Sequence, residues 1–210
     1  DRGPILRIAD WLTQLTAQLA RMGTTLVALA STEVGEVTLG AAGASSTMPQ
    51  KQNPVAASAL QALGHQCTGL RAALAPATQQ MHQRDGAAWF AEWMVLPQIA
   101  LGTASALQHA VTLSQTMGPN TARMTGNLNA NLGLIHAEAL SFALARSMPR
   151  PKAQSTSKAL CREAQETGVE LETLARAAYP DLPDDLFDGA ASLGLAPQAA
   201  ADFAARAKAL

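Results

Sequence analysis

The chain has 210 residues, 48% of them hydrophobic and 15% charged, with 15 basic side chains against 16 acidic ones. That balance excludes a disordered polyelectrolyte and argues against a nucleic-acid partner, because phosphate binding needs an excess of basic groups. No apolar run approaches the ~20 residues that a bilayer span requires, so no membrane segment is expected.

Alanine makes up about a fifth of the chain and aromatic residues only 4%. This favours closely packed helices over sheets built from β-branched and aromatic side chains. The expected fold class is all-α. Cys67 and Cys161 lie far apart and outside any CxxC spacing, which suits a reducing compartment and gives no disulfide framework or zinc site. The cytoplasm is the expected location. The chain starts at Asp1 directly inside apolar periodicity, as a portion of a longer protein would.

In chain order, Ile5, Ile8, Leu12, Leu15, Leu19, Met22, Leu26 and Leu29 alternate steps of three and four, a heptad seam. They predict a long bundle helix from about residue 4 to the middle thirties, its apolar face widened by Trp11. Residues 38–54 lose periodicity and become rich in Gly, Ser, Thr, Pro and Asn, the composition of a loop. A second helix is expected from Val55 to about Gln80 on Leu60, Leu63, Cys67, Leu70 and Leu74, with Pro76 near its end. A third should start near Gly86, kink around Pro97 and stop at Gly118-Pro119-Asn120. Met124, Leu128, Leu132, Ile135, Ala139 and Phe142 predict a fourth, closed by Pro149 and Pro151. Residues 152–210 suggest three or four short helices. The expected division is a central helical bundle over 1–120 and a smaller helical domain over 121–210, with the boundary between 120 and 150.

The loop carries the chemistry. Within Ala44-Ser45-Ser46-Thr47-Met48-Pro49-Gln50-Lys51-Gln52-Asn53-Pro54 stand hydroxyls, one cation and one amide. Ser45 and Ser46 offer oxygens for proton transfer or hydrogen bonding, Lys51 a point charge for a carboxylate, and Asn53 a donor and an acceptor. A solvated Ser/Pro connector between helices has a similar composition, and composition does not separate the two.

The residue order does. This segment resembles the signature GSSxMPxKxNP of the fumarase/aspartase superfamily, with Ala44 in place of its first Gly. The resemblance implies a long-helix bundle followed by a smaller helical domain, with this chain as the C-terminal half to two-thirds of such an enzyme. By position, Ser45 matches the catalytic proton-transfer serine, and Lys51 and Asn53 match the binders of a substrate carboxylate. Ser46, Thr47, Met48 and Gln50 line the same loop and are expected at the substrate. The family needs no cofactor or metal, works as a homotetramer with active sites shared between subunits, and acts on small polycarboxylates.

Two departures narrow the branch. Where fumarase and the amino-acid and nucleotide lyases carry a Glu thirteen residues after the serine, this chain has Ser58. Where adenylosuccinate lyases bind a phosphate, it has His82-Gln83-Arg84 followed by Trp89-Phe90-Ala91-Glu92-Trp93. Both resemble the cycloisomerase branch, whose members close a carboxymuconate to a γ-lactone, with Arg84 a further candidate for binding the polycarboxylate. The alternatives are another lyase of the superfamily, of the adenylosuccinate or argininosuccinate type, and a non-catalytic helical oligomerisation scaffold. Trp89 and Trp93 are expected in the core or an interface. His65, His109 and His136 have no second ligand at metal spacing and are taken as structural. His82 and Arg84 are expected at a helix start near the cleft.

Overall fold

A computed structural model of the chain describes residues 2–40, 43–44, 52–82 and 85–209. Eight α-helices account for most of them, and the only strands among them are four of two residues each. The chain divides into two compact units, Asp1–Met124 and Thr125–Leu210.

The first unit is built on three helices, α1 (Gly3–Leu29), α2 (Val55–Leu74) and α3 (Gly86–Thr116), in mutual contact. Ala9 packs in one cluster with Leu74, Ala88 and Ile99, and Leu26 in another with Ala57, Leu60, Ala106 and Leu113. Hence α1 and α3 run parallel and α2 runs antiparallel between them. The residues of α1 that are fully sequestered are Ala9, Thr16, Gly23 and Leu26. Small groups therefore carry the closest helix approach, while the larger seam residues Ile5, Leu12, Leu15, Leu19, Met22 and Leu29 are only half-buried and Ile8 is exposed.

The approach is close enough to demand glycine. A Cβ on Gly23 would sit 2.4 Å from the Ala57 carbonyl oxygen, and one on Gly64 2.6 Å from the Ala20 Cβ. Asp85 starts α3 by accepting from the amides of Ala87 and Ala88 at 3.0 and 3.2 Å, satisfying donors that the first turn leaves free. Pro97 lies inside α3, which continues through it to Thr116.

The first helix ends at Leu29, earlier than the expected middle thirties. Ser31 accepts from the Val34 amide and Gly35 turns the chain at φ +64, a conformation open to glycine. Arg123 then clamps this turn, donating to the carbonyls of Val34 and Glu33 at 3.0 and 2.8 Å. The second helix also stops short of Gln80, passing at Ala75–Thr78 into a 3₁₀ turn that contains Pro76.

In the second unit the single helix expected through Met124 and Phe142 is two, α4 (Thr121–Asn129), which begins before the unit boundary, and α5 (Ala137–Leu144). Between them Leu132 and Gly133 adopt φ +51 and +69. The Leu132 carbonyl accepts from the Leu171 amide at 2.9 Å, at the start of α7 (Leu171–Ala178). A tertiary hydrogen bond thus holds a leucine in the left-handed region, at a cost of ~1–3 kcal/mol, and interrupts apolar periodicity that looks continuous. The core of this unit gathers Leu140, Leu144, Ala153, Leu160, Ala164, Leu171, Ala175 and Leu182 from α5, α6 (Arg150–Thr167), α7 and the following turn. The final helix is α8 (Ala196–Lys208).

No helix among the described residues is long and apolar enough to cross a membrane.

Candidate active site

The described residues that flank the signature, 43–44 and 52–54, lie where α2 begins. Strand β1 (Val37–Thr38) pairs antiparallel with β4 (Gly118–Pro119) just beyond α3, and the Asn120 amide donates to Glu36 at 2.8 Å. Gly40, at φ +68, lies so near Thr116 that an added Cβ would stand 2.6 Å from the threonine Cβ. The chain is thereby tied to the C-terminal end of α3 before the signature starts.

Two further strands, β2 (Gly43–Ala44) and β3 (Gln52–Asn53), form an antiparallel pair with Gly43 opposite Asn53 and Ala44 opposite Gln52. What composition suggests is a plain loop therefore has paired strands at its two ends. The catalytic candidate Ser45 and the binding candidates Ser46, Thr47, Met48, Gln50 and Lys51 fall outside the described residues, as does Arg84. Asn53 is described: it is exposed and closes the hairpin one residue before Pro54, the N-cap of α2. The first turn of α2 carries no acidic residue, so no carboxylate of its own offsets the positive dipole end. Ser58 is exposed in that turn and its amide donates to the Pro54 carbonyl at 2.9 Å. A carboxylate approaching Asn53 therefore meets donors and a positive helix end, with no competing carboxylate from α2.

His82 does not lie beside Asn53. The 20 residues of α2 separate them, a helix about 30 Å long, so in one chain they mark opposite ends of the bundle. At its own end His82 is exposed at φ +65. Asp85 there also accepts from the Met81 amide at 3.1 Å. That bond foremost, then the Ala88 amide and more weakly the Ala87 amide and the charge of His82, hold the Asp85 carboxyl below its ordinary value against a smaller opposing effect of desolvation.

Trp89 and Trp93 are not core residues. They are 40% and 60% exposed, with ring centroids 5.1 Å apart, and Phe90 meets Trp93 edge-on at 6.0 Å. Their side of α3 is an exposed aromatic cluster, which leaves the interface half of the expectation. Sequence reasoning also passed over Glu92, only 5% exposed. Its Oε2 is 2.9 Å from Arg2 Nη2, while its Oε1 and Arg2 Nε have no hydrogen-bond partner among the described residues. The signal was present: a charged residue between two tryptophans on a mostly apolar helix must be paired if it is buried. No cluster of three or more His, Cys, Asp or Glu side chains that could hold a metal ion occurs among the described residues, and His136 packs edge-on against Phe187 at 5.7 Å.

A helical bundle of alternating direction, with a strand pair carrying Asn53 at the start of its second helix and the Ser/Met/Pro/Lys/Asn order in the intervening sequence, defines a class, and the chain belongs to the fumarase/aspartase superfamily of lyases. A family described as Lyase matches residues 1–69. The sequence is 37% identical over 177 residues to 3-carboxy-cis,cis-muconate cycloisomerase of Pseudomonas aeruginosa, covering 83% of this chain and 39% of the relative. It is 31% identical to nitrosuccinate lyase of Streptomyces davaonensis, covering 93% of this chain and 44% of the relative. Among solved structures, the 3-carboxy-cis,cis-muconate lactonizing enzyme of Pseudomonas putida superposes with a TM-score of 0.84 at 33% identity, over 93% of this chain and 46% of that one. The chain spans under half the length of these proteins.

Proposed function

We propose that the protein carrying this chain is a 3-carboxy-cis,cis-muconate cycloisomerase, forming a carboxymuconolactone in the breakdown of aromatic acids. The observation that carries the reading is the acid-free first turn of α2 behind the hairpin, with Asn53 at its mouth and Ser58 where related lyases have a glutamate. The similarity to muconate cycloisomerases in sequence and fold supports it.

In this mechanism a carboxylate oxygen of the substrate adds across the conjugated double bond and closes the five-membered lactone. The electron pair of that bond moves onto the neighbouring carboxylate as an aci-carboxylate dianion, which is then protonated at carbon. Lys51 and Asn53 stabilise the charge as it develops, where preorganised donors have most effect. Ser45, or a group outside this chain, delivers the proton, and Ser46, Thr47, Met48 and Gln50 shape the closing loop. Residues 1–120 act as the central bundle and 121–210 as the C-terminal domain.

The enzyme is a cytoplasmic homotetramer with shared sites. The 30 Å length of α2 supports sharing. The segment carrying Arg84 follows His82, so an Arg84 that binds the same small polycarboxylate as Asn53 comes from another subunit.

Two measurements on the full-length protein test this. Loss of diene absorbance should occur with 3-carboxymuconate and not with fumarate, argininosuccinate or adenylosuccinate, and Lys51→Met should lower kcat/KM by about two orders of magnitude or more. Turnover of adenylosuccinate would move the protein to another branch. Wild-type kinetics in the Lys51 variant would reduce the hairpin to a connector.

A further inference from the structure

The turn that follows α1 is fastened from far along the chain. Arg123, in the first turn of α4, donates from Nε to the Val34 carbonyl at 3.0 Å and from Nη2 to the Glu33 carbonyl at 2.8 Å. Two successive carbonyls thus meet one planar guanidinium, a fit that the point charge of an ammonium does not offer. Glu33 and Glu36 stand on the same segment, yet these two bonds go to the main chain, so what they fix is the path of the backbone. The approach is close. A Cβ on Gly35, at φ +64, would stand 3.3 Å from Arg123 Cγ and 3.4 Å from its Nε.

The carrier of the guanidinium is itself held. The Asn120 side chain accepts from the Arg123 amide at 3.1 Å, in the manner of a helix cap, and the Asn120 amide donates to the Glu36 carbonyl at 2.8 Å. Beyond Glu36 the ties are thinner. Strand β1 meets β4 over two residues, and Val37 there faces Pro119, which has no amide to donate. The Thr38 hydroxyl adds one bond to the Gly118 carbonyl at 3.2 Å. Gly40 then rests against Thr116. Gly43, three residues on and within about 10 Å of Gly40, is the residue paired with Asn53. On the other side Asn53 leads through Pro54 into α2. All these residues belong to the unit Asp1–Met124.

We propose that Arg123 is a positioning residue for the candidate site: by fixing residues 33–36 it sets β2, and through the Gly43 pairing it sets Asn53 against the first turn of α2. It is not a catalytic residue, since these donors meet the main chain. Its effect falls on the rate, because donors aimed at developing charge lose much of their value with a small misplacement. Its effect on stability is small, because the site is exposed and the Glu33 and Val34 carbonyls turn to water in its absence. The substrate named in the kinetic test rests on the cycloisomerase reading above; the geometry does not.

The test uses the full-length protein with Arg123→Ala and Arg123→Lys. Amide hydrogen exchange over residues 36–44 and 52–57, followed by mass spectrometry, should be about tenfold faster in Arg123→Ala. With 3-carboxymuconate, kcat should fall about tenfold or more while KM changes less than about threefold, and Tm should move by no more than about 2 °C. Arg123→Lys keeps the stem and the charge and should change in the same direction, since one ammonium does not serve both carbonyls. Should Arg123→Ala fail to fold, Arg123→Lys decides by the same readouts. Unchanged exchange in the two windows would overturn the proposal, as would faster exchange with wild-type kcat. A lower Tm with wild-type kcat in the folded enzyme would also overturn it, leaving Arg123 a clamp of the fold alone. If the wild-type protein does not turn over 3-carboxymuconate, the reading of its function fails, and exchange at residues 52–57 decides the positioning by itself.

Discussion

Glycine to alanine is usually a gain inside a helix, and the bundle predicts that it reverses sign between two of its glycines. At Gly69 an added Cβ meets nothing within 4 Å, so Gly69→Ala should stabilise the chain by about 0.5–1 kcal/mol through lower chain entropy. At Gly23 the same methyl would stand 2.4 Å from the Ala57 carbonyl oxygen and 3.0 Å from the Leu60 Cβ, where ordinary contact begins at 3.4 Å. A backbone oxygen cannot rotate away, so α1 and α2 must separate by about the 1 Å shortfall, loosening Leu26, Ala57 and Leu60. Overpacking of this kind costs ~1–3 kcal/mol, and the upper part of that range less the propensity gain of ~1 kcal/mol leaves a net loss of about 2 kcal/mol. With an m-value near 2 kcal/mol/M the urea midpoint should fall by about 1 M. Trp11, Trp89 and Trp93 are the only tryptophans, and all belong to Asp1–Met124, so their fluorescence reports this unit selectively. A Gly23→Ala chain as stable as wild type, or shifted upward like Gly69→Ala, would refute the account of helix approach.

In the second unit Leu140, fully buried, should cost ~2–5 kcal/mol when changed to Ala, read as a lower transition by far-UV circular dichroism. Arg2→Ala strands the buried Glu92 carboxylate and should cost about 2–4 kcal/mol, most of it recovered by adding Glu92→Leu, which removes the stranded charge. Asp85 contributes stability above its ordinary carboxyl value of 3.8 that is lost as the pH falls through its lowered folded value. Asp85→Asn should therefore be less stable than wild type by a constant margin above about pH 5, and the margin should close in more acidic solution; a gap that persists at low pH would show that ionisation is not what the cap uses. Asp10, whose carboxyl is lowered foremost by its hydrogen bond to Arg71, should follow the same direction in Asp10→Asn.

Much of the molecule was legible because its signals are local. The periodicity of α1, the start of α3 at Gly86 and the stop that Pro149 and Pro151 impose after α5 act over one or two turns, where spacing and chemistry decide alone. The signature segment was legible for another reason, since a dense order of Ser, Met, Pro, Lys and Asn identifies the superfamily without any knowledge of packing. Tertiary structure decided what depends on partners distant in sequence. The Leu171 amide breaks α4 from α5 at Leu132, and Arg123 fixes the turn after Leu29. Ala9, Thr16 and Gly23, joined by Leu26 and by none of the other heptad residues, form the sequestered face of α1 because helices approach most closely over small groups. The sequence places His82 twenty-nine residues after Asn53 and says nothing of direction. A straight helix between them turns that short interval into the length of the bundle, because an α-helix must rise ~1.5 Å for every residue.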